Sequence, residues 1–379
     1  MTSYIIGDLI YVIEENDICV KYDQSLNYIN DTLRQYCHNI KREIGHNHNL
    51  WEMNKKYSNS YEFINTSFDN KTLPICSYKP LSRSFFKLIE ILNHYSFYFP
   101  KEMNSFHLAE GPGGFIEALS YHRTNVKDNY IGMTLMDKSE DVPKWKKYET
   151  YLSIHKNIKL EYGKDKTGNL YHKDNLLYIY EKYKHSMDFV TGDGGFDYSI
   201  NFNQQEEDSL NLIYAQILYA IILQKKGGSF VLKLFDTFTS LCVEFIFLLN
   251  YLYDEIYIIK PLTSRPANSE KYIICIRYKM VSNVDKIIKR LMNNYDLLLE
   301  HKITSILNVD IPICFLDKIK DINSIIGQSQ IEHIQSILNF ILDKNKKVNI
   351  ENIKKSHITK CIKWCKKNSI PHNNTYDIT

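Results

Sequence analysis

No stretch of the 379-residue chain stays apolar for long. The runs around Phe245 to Asn250 fall well short of the ~20 residues needed to cross a bilayer, so no membrane partner is expected. Met1 to Asp8 lacks the basic start and apolar stretch of a secretory leader, and a soluble, intracellular protein is expected, cytoplasmic or in a virion, with the nucleus left open. Neither sign of charge dominates: 47 Lys+Arg against 44 Asp+Glu leave +3, too mild for a histone-like electrostatic binder. Any nucleic-acid surface must therefore be a local patch. The eight cysteines have no paired C-x-x-C rhythm, which favours reduced thiols over a disulfide framework. His357, Cys361 and Cys365 fall at i, i+4, i+8, which would set the outer two roughly 12 Å apart on a helix. That is too far for one tetrahedral zinc, and no metal is expected. Alanine is very scarce while Ile, Asn, Lys and Tyr abound, the bias of an AT-rich genome such as many large DNA viruses carry.

What is present is ample apolar material, 44% of residues with 29 tyrosines, enough to offset the entropy of ordering a sizeable core. Residues 1–80 mix short apolar runs with Asn-rich stretches and one helix around Leu26 to Ile44, a mixed extension. Over 81–280, short β-branched or aromatic runs alternate with longer helical periods, which predicts a mostly parallel sheet with crossover helices. Strands are read at Phe106–Ala109, Tyr130–Leu135, Ile158–Tyr162, Met187–Thr191, Ser229–Leu234, Glu255–Ile259 and Tyr272–Arg277. Helices are read at Phe115–His122, Glu206–Gln224 and Phe238–Tyr251. The expected fold is a Rossmann-like, doubly wound α/β sheet of about seven strands. Residues 281–379 are Ile/Leu-periodic and lysine-rich, which predicts a helical extension, and Lys344 to Lys367 is either a solvated basic face or an RNA-contacting one.

The strand Phe106–Ala109 runs into Glu110-Gly111-Pro112-Gly113-Gly114-Phe115 and then into a helix. Glycines there let the backbone turn sharply and approach a ligand at the helix N-terminus. The spacing is not G-x-G-x-x-G, so a compact adenosyl ligand fits better than a dinucleotide pyrophosphate, and a nicotinamide oxidoreductase is disfavoured.

The segment His107 to Phe115 resembles the methionine-end loop of the FtsJ-like ribose 2'-O-methyltransferases, which use S-adenosylmethionine. Further resemblances follow in order: Ser82 to Leu88 to the helix before the first strand, Thr191 to Asp197 to the end of the fourth strand, and Gly228 to Phe235 to the fifth. Lys260-Pro261-Leu262-Thr263-Ser264-Arg265-Pro266-Ala267-Asn268-Ser269-Glu270-Lys271-Tyr272 is especially similar to the branch that methylates messenger RNA caps. The resemblance implies the catalytic tetrad Lys87, Asp193, Lys233 and Glu270, with Lys233 as general base. It also implies cofactor contacts from Glu110, Gly111, Pro112, Gly113, Gly114, Phe115 and Asp193, with Asp165 facing the adenine. Many members carry a ribose-holding carboxylate after the second strand. This chain has Thr134 there, and Asp137, three residues on, either takes over that part or is an exposed acid. Arg83, Arg265, Asn268 and Ser269 are implied as substrate contacts, and capped mRNA and other capping enzymes as partners.

The chemistry can be argued apart from the family. Asp193, Lys233 and Glu270 lie at or near the carboxyl ends of predicted strands, the edge where doubly wound sheets bind ligands. Lys87 on a preceding helix could cover that edge. A ribose hydroxyl is a poor nucleophile until a positioned base takes its proton. Each residue also has a plainer reading: Asp193 as a turn former, Lys233 as a strand-end lysine reaching solvent, Glu270 paired with Arg265. Two further functional readings stay open here: the same chemistry on ribosomal or transfer RNA, and a catalytically inactive RNA-binding subunit.

Overall fold

A computed structural model describes residues 2–7, 11–68, 73–136, 145, 149–196, 202–343 and 346–373. Its main sheet takes β1 (Thr2–Ile6) from the N-terminal region and then, after β2 (Ile18–Tyr22) and the helices α1 (Asp31–His46), α2 (His48–Ser58) and α3 (Ser84–His94), enters the alternating part of the chain. There β3 (Asn104–Leu108), α4 (Gly114–Arg123), β4 (Asn129–Met133), α5 (Glu149–Ile154), β5 (Ile158–Glu161), α6 (Lys173–Tyr183) and β6 (Met187–Gly192) follow one another. Next come α7 (Gln205–Leu223), β7 (Gln224–Leu234), α8 (Ser240–Leu252), β8 (Tyr253–Lys260) and β9 (Lys271–Tyr278). The chain closes with α9 (Val284–Leu291), β10 (Ile303–Leu307), α10 (Ile313–Leu342) and α11 (Lys346–Lys367).

The eight strands of the main sheet run in the order β1-β8-β9-β7-β6-β3-β4-β5. β7, β6, β3, β4 and β5 are parallel, while β9 is antiparallel to both β7 and β8. The doubly wound sheet is thus as expected. The strand beyond the expected seven is β1, whose Tyr4 pairs with Ile258. Strand order reverses between β3 and β6, and the crevice at their carboxyl ends is where such a sheet takes a ligand.

Burial explains the elements. β6 is buried at every position, as a central parallel strand is. The chain of α7 is apolar nearly all round beyond Leu210 because it lies between the sheet and α6, α8 and α9. One core cluster unites α6, α7 and α8 with one sheet face; the other unites α3, α4 and α11 with the opposite face.

The region from Val281 onward, expected to be helical, also contains β10, which pairs with β2 to make a second, two-stranded sheet. Glu244 of α8 anchors it by accepting from the Ile306 and Leu307 N–H groups at 2.6 and 2.9 Å. A further tie joins the C-terminal helix to α3: Trp364 of α11 packs edge-on to Phe86 and donates to Glu90 at 3.3 Å. Trp364→Ala should therefore cost about 3–5 kcal/mol, read as a lower urea midpoint. An unchanged midpoint would show that α11 is not part of the core.

Candidate active site

The strand ends open into one cleft of about 1020 Å³, lined by Ala109, Gly111 and Pro112 after β3, Thr134 and Leu135 after β4, Asp193 to Phe196 after β6, Lys233 of β7 and Glu270 before β9. Arg83 and Ser84 at the start of α3 close it from above, and Gly168 to Tyr171 close the side.

The four tetrad residues meet here as two ion pairs. Lys87 Nζ donates to Glu270 Oε2 at 2.7 Å, and Lys233 Nζ lies 3.4 Å from Asp193 Oδ1 while donating to the Asp193 main-chain carbonyl at 2.7 Å. All four side chains are between 9% and 15% exposed, dry enough to strengthen both pairs yet reachable. Burial alone would raise the Glu270 carboxyl, but Lys87 and Lys233 outweigh it and bring it down to about 2. Ser264 completes its shell, donating to Oε1 at 2.7 Å. The plainer reading that pairs Glu270 with Arg265 is overturned: Lys87 holds Glu270, and Arg265 goes elsewhere.

Three further groups hold this arrangement. Tyr272, fully buried on β9, donates to Asp193 Oδ1 at 2.9 Å. Lys260 at the end of β8 donates to the Asn268 carbonyl at 2.6 Å, the Asn268 side chain at 3.1 Å and the Glu270 carbonyl at 2.7 Å, binding the loop that delivers Glu270. Desolvation lowers this ammonium to about 7. Glu90 accepts from the Leu262 and Thr263 N–H groups at the other end of the same loop. The sequence signal for Lys260 and Tyr272 was their place at the two ends of the Lys260–Tyr272 motif; nothing local pointed to Glu90.

The expected cofactor residues divide. Gly111, Pro112 and Asp193 line the cleft. Glu110 does not reach it: it is buried and caps α4, its Oε1 accepting from the Phe115 and Ile116 N–H groups at 2.8 and 2.9 Å. Burial raises its carboxyl well above the usual range. Gly113, at φ 108, and Gly114 make the turn itself, and a Cβ on Gly114 would meet Ser82 Oγ at 2.1 Å. Phe115 is a core residue 6.0 Å from the Tyr272 ring. Asp165 is not part of the cleft lining; its carboxylate binds His172 and accepts from the Thr167 N–H in a local turn. Asp137 lies outside the described residues. Thr134, at the aligned position, does line the cleft.

The substrate residues were expected to be available to RNA. Arg83 and Arg265 instead share Glu62, a buried acid of the N-terminal extension; Arg265 binds it at 2.8 and 3.2 Å and Arg83 Nη2 at 2.9 Å. Burial opposes its charge, but the two guanidiniums hold Glu62 well below the usual carboxylate range. Both arginines remain about a third exposed, so each keeps donors for a second partner. Asn268 is occupied by Lys260, and Ser269 is buried and donates to Gln205 at 2.8 Å.

The cleft fits an adenosyl ligand. Gly194 lets the backbone lie against α7, since a Cβ there would meet Leu212 at 2.8 Å and Gln216 Oε1 at 2.9 Å, and its N–H is fixed by Gln216 at 3.0 Å. Gly168, at φ 65, would drive a Cβ to 1.9 Å from the Thr134 carbonyl. Leu135, Leu170 and Tyr171 supply apolar walls suited to a purine face.

A doubly wound sheet with a Gly-rich first turn and a Lys-Asp-Lys-Glu cluster at its switch point defines an S-adenosylmethionine-dependent methyltransferase. The family profile of FtsJ-like methyltransferases matches residues 80–278, and the chain belongs to that family, with S-adenosylmethionine as its cofactor. Over 204 residues it is 31% identical to the cap-specific mRNA (nucleoside-2'-O-)-methyltransferase 2 of Drosophila melanogaster, covering 51% of this chain and 29% of that one. Over 181 residues it is 35% identical to the cap-specific mRNA (nucleoside-2'-O-)-methyltransferase 1 of Trypanosoma cruzi, covering 44% of this chain and 46% of that one. The chain thus spans less than half the length of these curated relatives. A solved ribosomal RNA methyltransferase from Plasmodium falciparum is 22% identical with a TM-score of 0.38, covering 52% of this chain and 97% of its own.

Two outcomes are expected. Tyr272→Phe removes one hydrogen bond to Asp193, worth ~1 kcal/mol, and should lower kcat about fivefold with KM unchanged in steady-state methyl transfer. An unchanged kcat would mean that Asp193 is positioned without it. Glu270 has a depressed carboxyl, so its contribution to stability is full above the unfolded value of about 4.3 and is lost as pH falls toward 2. The gap in urea midpoint between the wild type and Glu270→Gln should stay flat above pH 5 and close on acidification; a gap that widens would reverse the sign of the assignment.

Proposed function

We propose that this protein transfers the methyl group of S-adenosylmethionine to the ribose 2'-oxygen of a cap-proximal nucleotide of mRNA. The observation that carries the reading is the convergence of Asp193, Lys233 and Glu270 on the wall of one cleft beside the glycine turn, with Lys87 paired to Glu270 behind it. The likeness of the Lys260–Tyr272 segment to cap methyltransferases, and the curated relatives named for cap-specific mRNA, support the choice of substrate.

S-Adenosylmethionine supplies an electrophilic methyl on a sulfonium. The chain must supply a nucleophile, and Lys233 in its amine form takes the proton from the ribose hydroxyl. The ammonium so formed is already placed to be stabilised, 3.4 Å from the Asp193 carboxylate and 2.7 Å from its carbonyl. The Lys87–Glu270 pair orients the ribose from the other side. Thr134, Leu135, Leu170 and Gly194 bound the space for the donor, and enclosure excludes water that would solvate the oxygen.

Lys233→Ala should abolish transfer to a capped transcript while leaving S-adenosylhomocysteine affinity, measured by calorimetry, within a few-fold, because the base acts on the acceptor. An equal loss of cofactor binding would mean that Lys233 belongs to the donor site. Capped and uncapped oligomers of one sequence decide the substrate: equal rates on both would favour a ribosomal or transfer RNA acceptor.

A further inference from the structure

The tetrad sets two amines against two acids, so it carries no net positive charge to attract a phosphate. The C-terminal helix has the opposite character. α11 carries eight lysines and one acid, Glu351, which pairs with Lys354 at 3.0 Å. His357, Cys361, Trp364 and Cys365 form its buried stripe. On the outer side Lys355, Lys360, Lys363, Lys366 and Lys367 are exposed. Among the described residues, no carboxylate lies within ion-pair distance of Lys355, Lys360, Lys363 or Lys367. An ordinary solvated helix face mixes the two signs and pairs them at i, i+4. This face does not.

Its position matters as much as its charge. Lys360 Nζ contacts Ser60 Oγ at 3.1 Å. The neighbouring Asn59 donates to Glu62 at 2.8 Å, and Glu62 holds Arg83 on the cleft wall and Arg265 beside it. Trp364 binds Glu90, the same acid that fixes the loop carrying Arg265. The lysine face is therefore fixed to the two arginines at the cleft mouth through the protein's core. Lys360 to Lys367 spans roughly 10 Å of helix axis, the reach of a few nucleotides.

We infer that the exposed face of α11 is a phosphate track for single-stranded RNA, engaging the part of the strand that lies outside the cleft beyond Arg83. The inference rests on the RNA methyltransferase reading and extends it, because these residues lie beyond the matched 80–278. The track contacts backbone and not bases, so it adds affinity without sequence preference.

The test is the triple charge reversal Lys360→Glu, Lys363→Glu, Lys367→Glu, with a melting curve to show that the buried stripe still holds the fold. Fluorescence anisotropy is measured with a capped RNA of about thirty nucleotides and with a capped trinucleotide, across salt. The expected result is at least about tenfold weaker binding of the long RNA and a salt slope shallower by about 2, from three lost phosphate contacts at ~0.7 each. Trinucleotide affinity, and kcat on the trinucleotide, should be unchanged. Equal affinity of wild type and variant for the long RNA overturns the track, as does a parallel loss on the trinucleotide. Because binding is read without turnover, a wild type that binds long RNA along α11 yet transfers no methyl would sink the catalytic proposal and leave this one standing.

Discussion

The charge balance at the sheet's rim constrains everything around it. Two amines and two acids are held in a nearly dry wall, and removing any one leaves an uncompensated charge whose desolvation costs several kcal/mol. The surrounding polar groups serve that pairing. Tyr272 and the Asp193 carbonyl bracket one pair, and Ser264 completes the other. Lys260 and Glu90 pin the two ends of the loop that carries Ser264 and delivers Glu270. Chemistry at this site is thus a property of loop placement as much as of the four residues.

The parts legible in the sequence were those encoded locally. β3 to β9 could be read because central strands are continuous apolar runs separated by helices of crossover length. The tetrad could be found because its members sit in motifs at strand ends. What escaped depends on partners distant in the chain. β1 pairs with β8 some 250 residues away, and β10 with β2 farther still, so neither short run declares its sheet. Arg265 looks like a free substrate contact until Glu62 is placed beneath it. Asp165 looks like a cleft acid until His172 and Thr167 claim it. Glu110 and Phe115 were read as ligand contacts because their motif touches the ligand site, yet the first caps α4 and the second fills the core. A motif locates a turn; it does not say which of its side chains point outward.

The extensions are not an independent appendage. Residues before 80 supply an edge strand to the main sheet, a strand to the small sheet and the acid under both arginines. Residues after 280 supply the partner strand and two long helices. The isolated β8 edge would expose unpaired N–H and C=O groups, and β1 covers it.

A division of labour follows from where the charges lie. With Lys233 as the free amine the tetrad carries one net negative charge, and the proton lost by the hydroxyl brings it to two cations against two anions. Such a site is a poor attractor of a polyanion, since its attraction and repulsion cancel within a few ångströms. The polyanion must then be gathered by uncompensated cations elsewhere. On the proposed function, the candidates in this chain are Arg83 and Arg265, two cations on the single acid Glu62, and Lys355, Lys360, Lys363 and Lys367 of α11. On the proposed function, selection of an RNA would change through these flanks while the rim of the sheet keeps its chemistry.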